Sequence, residues 1–553
     1  MNGVQLVLVV LGAIVVTAYA RRRELQPPLV ITVLALAASF IPGTPRLELE
    51  PDIILSVLVP PLIYSTALAF SFTSFVRLLA PILRLGVLLV VATAFAAAAV
   101  AAGVVPALTM STAIVLGAAI APPDAVSALA IGRELGLRRN VLTLLTGESL
   151  VNDAAALTLF TVAVASVTGA HSFIDGPILL FLYGAGVGTA VGVALAVAAV
   201  HVRARLRNPG LETVLGLVLP FAAYLCAEHL EASGVIAVVA AGFVVGTRAA
   251  RFGYETRLQE RQVWDALVVL LEAFVFAYVG LQLRFVIDDL QDAGASVWSV
   301  FAGGLVVLAA VMAIRPLLIF ARVGAGRLVG AAAAGPAWLE RRNARREAHG
   351  KPPIVPPEPL SWQEGAVISW TGMRGVVTLA AAAAIPATLP DGSPFPGRPE
   401  IQAIAFLVAV GTLLVQGATL PWVIARLGVT DPDEEARRAE REERVATVAR
   451  TAATDVYRDF LASPPDGVDE AILQRTAERV RRARDMASAA AEIDARDAVG
   501  IVGDLMRDVI ATQRRTVVDE RDAGRLDDEA VREYLSRLDL EEAALMSRMS
   551  SRL

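Results

Sequence analysis

The stretch Gly147-Glu148-Ser149-Leu150-Val151-Asn152-Asp153 decides how the whole chain is read. It lies inside an apolar run, 141 to 167, which at about 1.5 Å per residue is long enough as a helix to cross a bilayer, with Asp153 near the middle. On a helix Glu148 and Asn152 are four residues apart, as are Ser149 and Asp153, so these polar groups project the same general way. A charge at the bilayer centre costs about 2.5–3.5 kcal/mol even on the most lenient insertion scale. Carboxylates kept at that depth are functional by default, the alternative for Asp153 being a hydrogen-bonded structural acid.

The composition around this stretch fits a membrane. Of 553 residues, 56% are hydrophobic and 19% charged, where soluble chains have about 45–50% apolar residues. The net charge of -5 reflects loops and the last quarter of the chain, and nothing in it recommends nucleic acid as a partner. The single cysteine, Cys226, excludes an internal disulfide framework and a multi-cysteine metal site. His171, His201, His229 and His349 lack zinc-ligand spacing. No GxxxxGK[ST] loop occurs, so neither ATP nor an organic cofactor is implied. The N-terminal apolar run has no basic leader and is followed by Arg21, Arg22 and Arg23, as in a retained first span rather than a cleaved signal.

The pattern predicts an all-α polytopic protein with about thirteen apolar spans, near 3–20, 28–42, 52–70, 79–103, 110–131, 140–168, 176–201, 211–230, 233–248, 264–284, 296–321, 362–387 and 400–426. Loops after odd-numbered spans hold most of the cations, including Arg21 to Arg23, Arg133, Arg138, Arg139, Arg203, Arg205, Arg257, Arg261 and the run from Arg341 to Lys351. The other loops hold little beyond Arg46, Arg284 and Arg398, roughly twenty cations against three, which puts the N-terminus outside and the C-terminus in the cytoplasm. Residues 1–426 then form a transmembrane domain with a cytoplasmic linker at 323–360. Residues 427–553, where acidic and basic residues mix and Val531, Tyr534, Leu535 and Leu538 recur at helical spacing, form a helical cytosolic tail, for support of folding or dimerisation or for regulation.

Two spans carry internal breaks. In Ala121-Pro122-Pro123-Asp124-Ala125-Val126, adjacent prolines remove two backbone donors in mid-membrane. In Thr371-Gly372-Met373-Arg374-Gly375-Val376, two glycines flank an arginine. Counting spans, the two broken helices run in opposite directions, as inverted repeats with discontinuous helices at the midplane require. Glycines 184, 186, 188 and 192 superficially evoke a dinucleotide loop, but in an apolar span their spacing means helix packing.

Burial disfavours the charged form of a carboxylate, so Asp153 can trade a proton for a small cation. Hard cations take oxygen ligands, here the Asp153 carboxylate, the Ser149 hydroxyl and carbonyls freed at Pro122-Pro123. Asn152 has no charge to trade and is suited to holding the unwound backbone. Asp124 and Arg374 are placed to compensate the ends of half-helices. Arg374 needs a buried acid, and Glu148 is the expected partner. Glu272 is also intramembrane, as an outlying ion site or a packing residue.

These motifs, together with Leu58-Val59-Pro60-Pro61-Leu62-Ile63-Tyr64, resemble the cation/proton antiporter family, in its sodium/proton exchanger branch with an Asn-Asp pair in the sixth helix. The resemblance covers nearly all of 1–426. It implies a homodimer in which a core carrying the broken helices moves like an elevator against a dimerisation part. It also implies one-for-one, electroneutral exchange at Asp153, assisted by Ser149 and a carbonyl near Pro123. Some members carry a glutamate ligand just after the aromatic of the third-helix motif. Here that position is Ser65, a weaker ligand that leaves cation choice open. The expectation is therefore an inner (plasma) membrane antiporter of cytoplasmic Na+, or Li+, against external protons. The alternatives are a K+/H+ antiporter and a cation channel or sensor governed by the tail. An intramembrane enzyme would rest on Ser149 and Asp153 alone, without a histidine or GxSxG context.

Overall fold

A computed structural model describes residues 3–42, 54–124, 126–169, 174, 176–206, 208–329, 344, 360–429, 434–464, 474 and 498–550. Most of the expected linker, with Arg341 to Arg346 apart from Ala344, and the loop residue Arg46 lie outside the described residues.

Each expected apolar span holds one or more helices among its described residues. In order these are α1 (Gly3–Arg22), α2 (Pro27–Ala38), α3 (Val59–Ala69, entered by a π-type turn at Ile54–Leu58), α4 (Phe72–Arg77), α5 (Leu79–Leu83) and α6 (Val90–Val104). Next come α7 (Met110–Ile120), α8 (Val126–Glu134), α9 (Arg139–Thr168), α10 (Pro177–Leu206), α11 (Pro209–His229), α12 (Gly234–Arg248) and α13 (Tyr254–Leu281). The rest are α14 (Leu283–Asp292), α15 (Val297–Val329), α16 (Trp362–Trp370), α17 (Val376–Ala383) and α18 (Arg398–Leu427), followed by the tail helices α19 (Glu434–Ala462), α20 (Ala498–Asp522) and α21 (Asp528–Ser550). Among the described residues nine helical stretches are long and apolar enough to cross a membrane, and three shorter apolar ones accompany them.

Contacts sort the helices into two groups. One comprises α1, α2, α3, α10, α11, α12 and α13; the other comprises α5 to α9 and α15 to α18. The first is packed around Tyr64, Tyr224, Val238 and Trp264, the second around Ala98, Leu116, Val307 and Ile404. Close approach in the first group needs missing side chains. A Cβ at Gly192 of α10 would meet the Ala237 carbonyl oxygen of α12 at 2.1 Å, and one at Gly188 would meet that of Ser233 at 2.6 Å. Gly184 also faces Ser233, whereas Gly186 has open space, so three of the four glycines serve helix packing.

Arg203, expected in a cytoplasmic loop, instead ends α10 fully buried, because Glu260 of α13 takes its guanidinium at 3.0 and 3.2 Å. The tail docks on the arginine-rich face. Arg139 at the start of α9 forms a fork on Asp527 at 2.8 and 3.1 Å and meets Glu529 at 2.8 Å. Arg257 of α13 and Arg514 of α20 share the buried Asp539 of α21. The tail thus touches both groups of helices.

Candidate functional site

The site is assembled where the two expected breaks meet. Helix α7 stops at Ile120 and α8 starts at Val126; α16 stops at Trp370 and α17 starts at Val376. The backbone N–H of Asp124 in the first break donates to the Met373 carbonyl in the second at 2.5 Å. Arg374 reaches the other way and donates from Nε to the Ile120 carbonyl, the C-terminal end of α7, at 3.0 Å. A Cβ at Gly375, before α17, would come within 1.9 Å of Asp124 Oδ2, so glycine is what lets the carboxylate sit at the positive end of that half-helix.

The expected pairing of Glu148 with Arg374 is corrected. Glu148 accepts a two-pronged bond from Arg315 of α15, at 2.6 and 2.7 Å, and Arg315 Nε donates to the Ile368 carbonyl near the end of α16 at 2.9 Å. Arg374 is left with carbonyls: Ile120, and Gly372 through Nη1, while its backbone N–H donates to Thr412 Oγ1 at 2.9 Å. The reason is geometric: Arg315 crosses from α15 and fills both Glu148 oxygens, whereas Arg374 lies at the mouth of α7, where carbonyls are free. Arg315 was not foreseen, although an arginine followed by Pro316 inside an apolar span was the signal.

On α9, Asn152 is fully buried and its Nδ2 donates to the Pro123 carbonyl at 2.5 Å, within the first break. Its Oδ1 has no hydrogen-bond partner among the described residues. Asp153 and Ser149, one turn apart, line a cavity of about 80 Å³ in the seam between the two groups of helices. Pro122, Pro123, Asp124 and Thr378 line it from the breaks, and Val59, Leu62, Ile63 and Thr66 from α3. A single water needs about 10–15 Å³ of such space, so the cavity has room for a small cation.

Ser65 is not brought to this cavity. Its hydroxyl donates to the Leu62 carbonyl at 2.9 Å, and the hydroxyl that α3 contributes belongs to Thr66, which donates to the same carbonyl at 3.0 Å. Glu272 is not brought there either. It lines a separate cavity of about 320 Å³ with Thr17, Arg21, Glu24, Gln26 and Ile131, also in the seam. Among the described residues no group of three or more His, Cys, Asp or Glu could hold a resident metal. Thr66 and Thr378 escaped the sequence reading because threonine in an apolar helix is ordinary.

Comparison with known proteins agrees with this architecture. A protein named as an uncharacterized Na+/H+ exchanger of Mycobacterium tuberculosis is 29% identical over 555 residues, covering 98% of this chain and 96% of its own. A sodium, potassium, lithium and rubidium/H+ antiporter of Bacillus pumilus is 28% identical over 71% of this chain and 57% of its own. The solved sodium proton antiporter MjNhaP1 of Methanocaldococcus jannaschii shares the fold, with a TM-score of 0.58 at 17% identity over 77% of this chain and 98% of its own. The family model for the sodium/hydrogen exchanger transmembrane region matches residues 7–426, and the chain belongs to that family of multi-pass membrane transporters.

Proposed function

We propose that this protein is a secondary antiporter exchanging cytoplasmic Na+, with Li+ as a further substrate, for external protons at Asp153. One observation carries the reading: Asp153 lines a cavity where both interrupted helices and both helix groups meet. A carboxylate there cannot hold a proton and a cation together, so each displaces the other. Ser149 and the Pro123 carbonyl, which keeps a lone pair beyond its bond to Asn152, complete the oxygen set. Asn152, Asp124, Glu148, Arg315 and Arg374 hold the breaks in place. One carboxylate trading one proton for one monovalent cation makes the exchange electroneutral. A cavity in the seam suits alternating access, in which the group carrying Asp153 slides against a dimerised partner group. Contacts of the tail with Arg139, Arg257 and Arg261 support a reading in which that side faces the cytoplasm across an inner membrane.

In proteoliposomes loaded with a pH-sensitive dye, Na+ addition to the wild type moves protons, Asp153→Asn abolishes the response, and Asp153→Glu retains part of it. Wild-type exchange by Asp153→Asn would refute the assignment. A K+/H+ exchanger is the second reading, favoured by α3 facing the cavity with a hydroxyl, Thr66, where a carboxylate would give a stronger field. Comparing Na+, Li+ and K+ in the same vesicles separates the two, and cation flux indifferent to the proton gradient would mark a channel.

A further inference from the structure

Threonines in a membrane helix ordinarily satisfy their hydroxyls on the carbonyl four residues back. Thr66 does so on Leu62, Thr146 on Leu142, Thr158 on Ala154 and Thr161 on Leu157, at 2.8 to 3.0 Å. Thr378 does not. It stands in the first turn of α17, and four residues back is Arg374, which belongs to the extended stretch and not to a helix. Its Oγ1 is buried with no hydrogen-bond partner among the described residues, although the residue is only 1% exposed and lines the Asp153 cavity. A buried hydroxyl left unmet is unfavourable, and the great majority of such groups are partnered.

We infer that Thr378 Oγ1 is a ligand of the transported cation, supplied by the second interrupted helix, so that both interruptions close on the ion from opposite sides. This rests on the antiporter reading. The first break contributes the Pro123 carbonyl, α9 the Asp153 carboxylate and the Ser149 hydroxyl. Ser149 and Thr66 spend their hydrogens on the Thr146 and Leu62 carbonyls, at 3.0 Å each, which leaves lone pairs for the cavity. Thr378 has both its hydrogen and its lone pairs uncommitted within the protein. When a cation arrives, a lone pair turns to the ion; with the cation gone, its hydrogen can serve the Asp153 carboxylate or a water. Selectivity in such a site depends on the number and field strength of its oxygens, so this hydroxyl sets how small a cation is preferred.

The test is exchange in proteoliposomes with Na+, Li+ and K+ for the wild type, Thr378→Val and Thr378→Ser, with Asp153→Asn in parallel and thermal melting of each detergent-solubilised variant. Valine keeps the shape and deletes the hydroxyl. Thr378→Val is expected to raise the KM for Na+ and Li+ about ten-fold, equivalent to about 1.4 kcal/mol, to raise it less for K+, and to melt no lower than the wild type, since no protein hydrogen bond is lost. Thr378→Ser restores the KM. If the wild type exchanges cations but Thr378→Val has unchanged KM for all three, the ligand role is overturned. A lower melting temperature for Thr378→Val with exchange otherwise intact overturns it in favour of a structural role. Absence of exchange in the wild type, or exchange undiminished in Asp153→Asn, would instead sink the antiporter reading itself.

Discussion

Arg315 and Arg374 are almost equally buried, 3% and 2% exposed, and both hold the interrupted helices together, yet they are satisfied by different means. Arg315 is met by a full negative charge, with both Glu148 oxygens in its fork. No carboxylate comes within ion-pair distance of Arg374 among the described residues, and its side chain is met by the Ile120 and Gly372 carbonyls. The first arrangement balances charge with charge; the second uses the partial negative charge that carbonyls gather at the end of a half-helix. A buried cation thus tells the reader that something opposes it, without saying whether an acid or a helix end does so.

That contrast predicts a graded response to mutation. Glu148→Gln strands Arg315 without its countercharge and is expected to lower stability by about 3–5 kcal/mol, read as a large fall in the melting temperature of the solubilised protein. Replacing both by methionine should recover most of that loss, and a single variant as stable as wild type would erase the distinction between the two arginines. Arg374→Gln removes a donor from carbonyls rather than from an acid, so its cost is smaller, about 1–3 kcal/mol. A loss as large as that of Glu148→Gln would mean that Arg374 answers to an acid after all.

The smallest effect belongs to the tail contact. Arg139 and Asp527 are each about a quarter exposed, and pairs open to water contribute about 0–1 kcal/mol. Arg139→Gln should therefore shift the melting temperature slightly, and less still at high salt. Burial pushes the Asp527 carboxyl up, but the hydrogen bonds and charge of Arg139 outweigh it and hold the group below the usual carboxylate range. With the folded value depressed, the contact contributes fully at neutral pH and is lost only as pH falls below about 4. Proteolysis of the tail at neutral and acid pH would report this, and release between pH 6 and 7 would contradict it.

Much of this was legible beforehand. The Pro122-Pro123 pair and the Gly372–Gly375 stretch announced their interruptions, because backbone lacking donors or side chains cannot continue a helix. That Asn152 suits unwound backbone was readable from an amide with no charge to trade, but which carbonyl it meets, that of Pro123, was not. Periodicity could not give the partner of Glu148, since that depends on which distant helix crosses α9, and 167 positions separate Glu148 from Arg315. Ser65 and Thr66 show the same limit on a finer scale. Neighbouring residues on a helix point about 100° apart, and the crossing of α3, not the motif, decides which one looks into the cavity.

The docked tail has a mechanical consequence. Its acids grip Arg139, fourteen residues before Asp153 on the same helix, and also Arg257 on a helix of the opposite group. It is a strap fastened at both ends, and an arginine side chain gives only a few ångströms of slack. In the sliding movement proposed above, displacement of the Asp153 helix along its neighbour beyond that reach would unbuckle one end, and the position of these three tail helices would register where the transmembrane part stands in its travel.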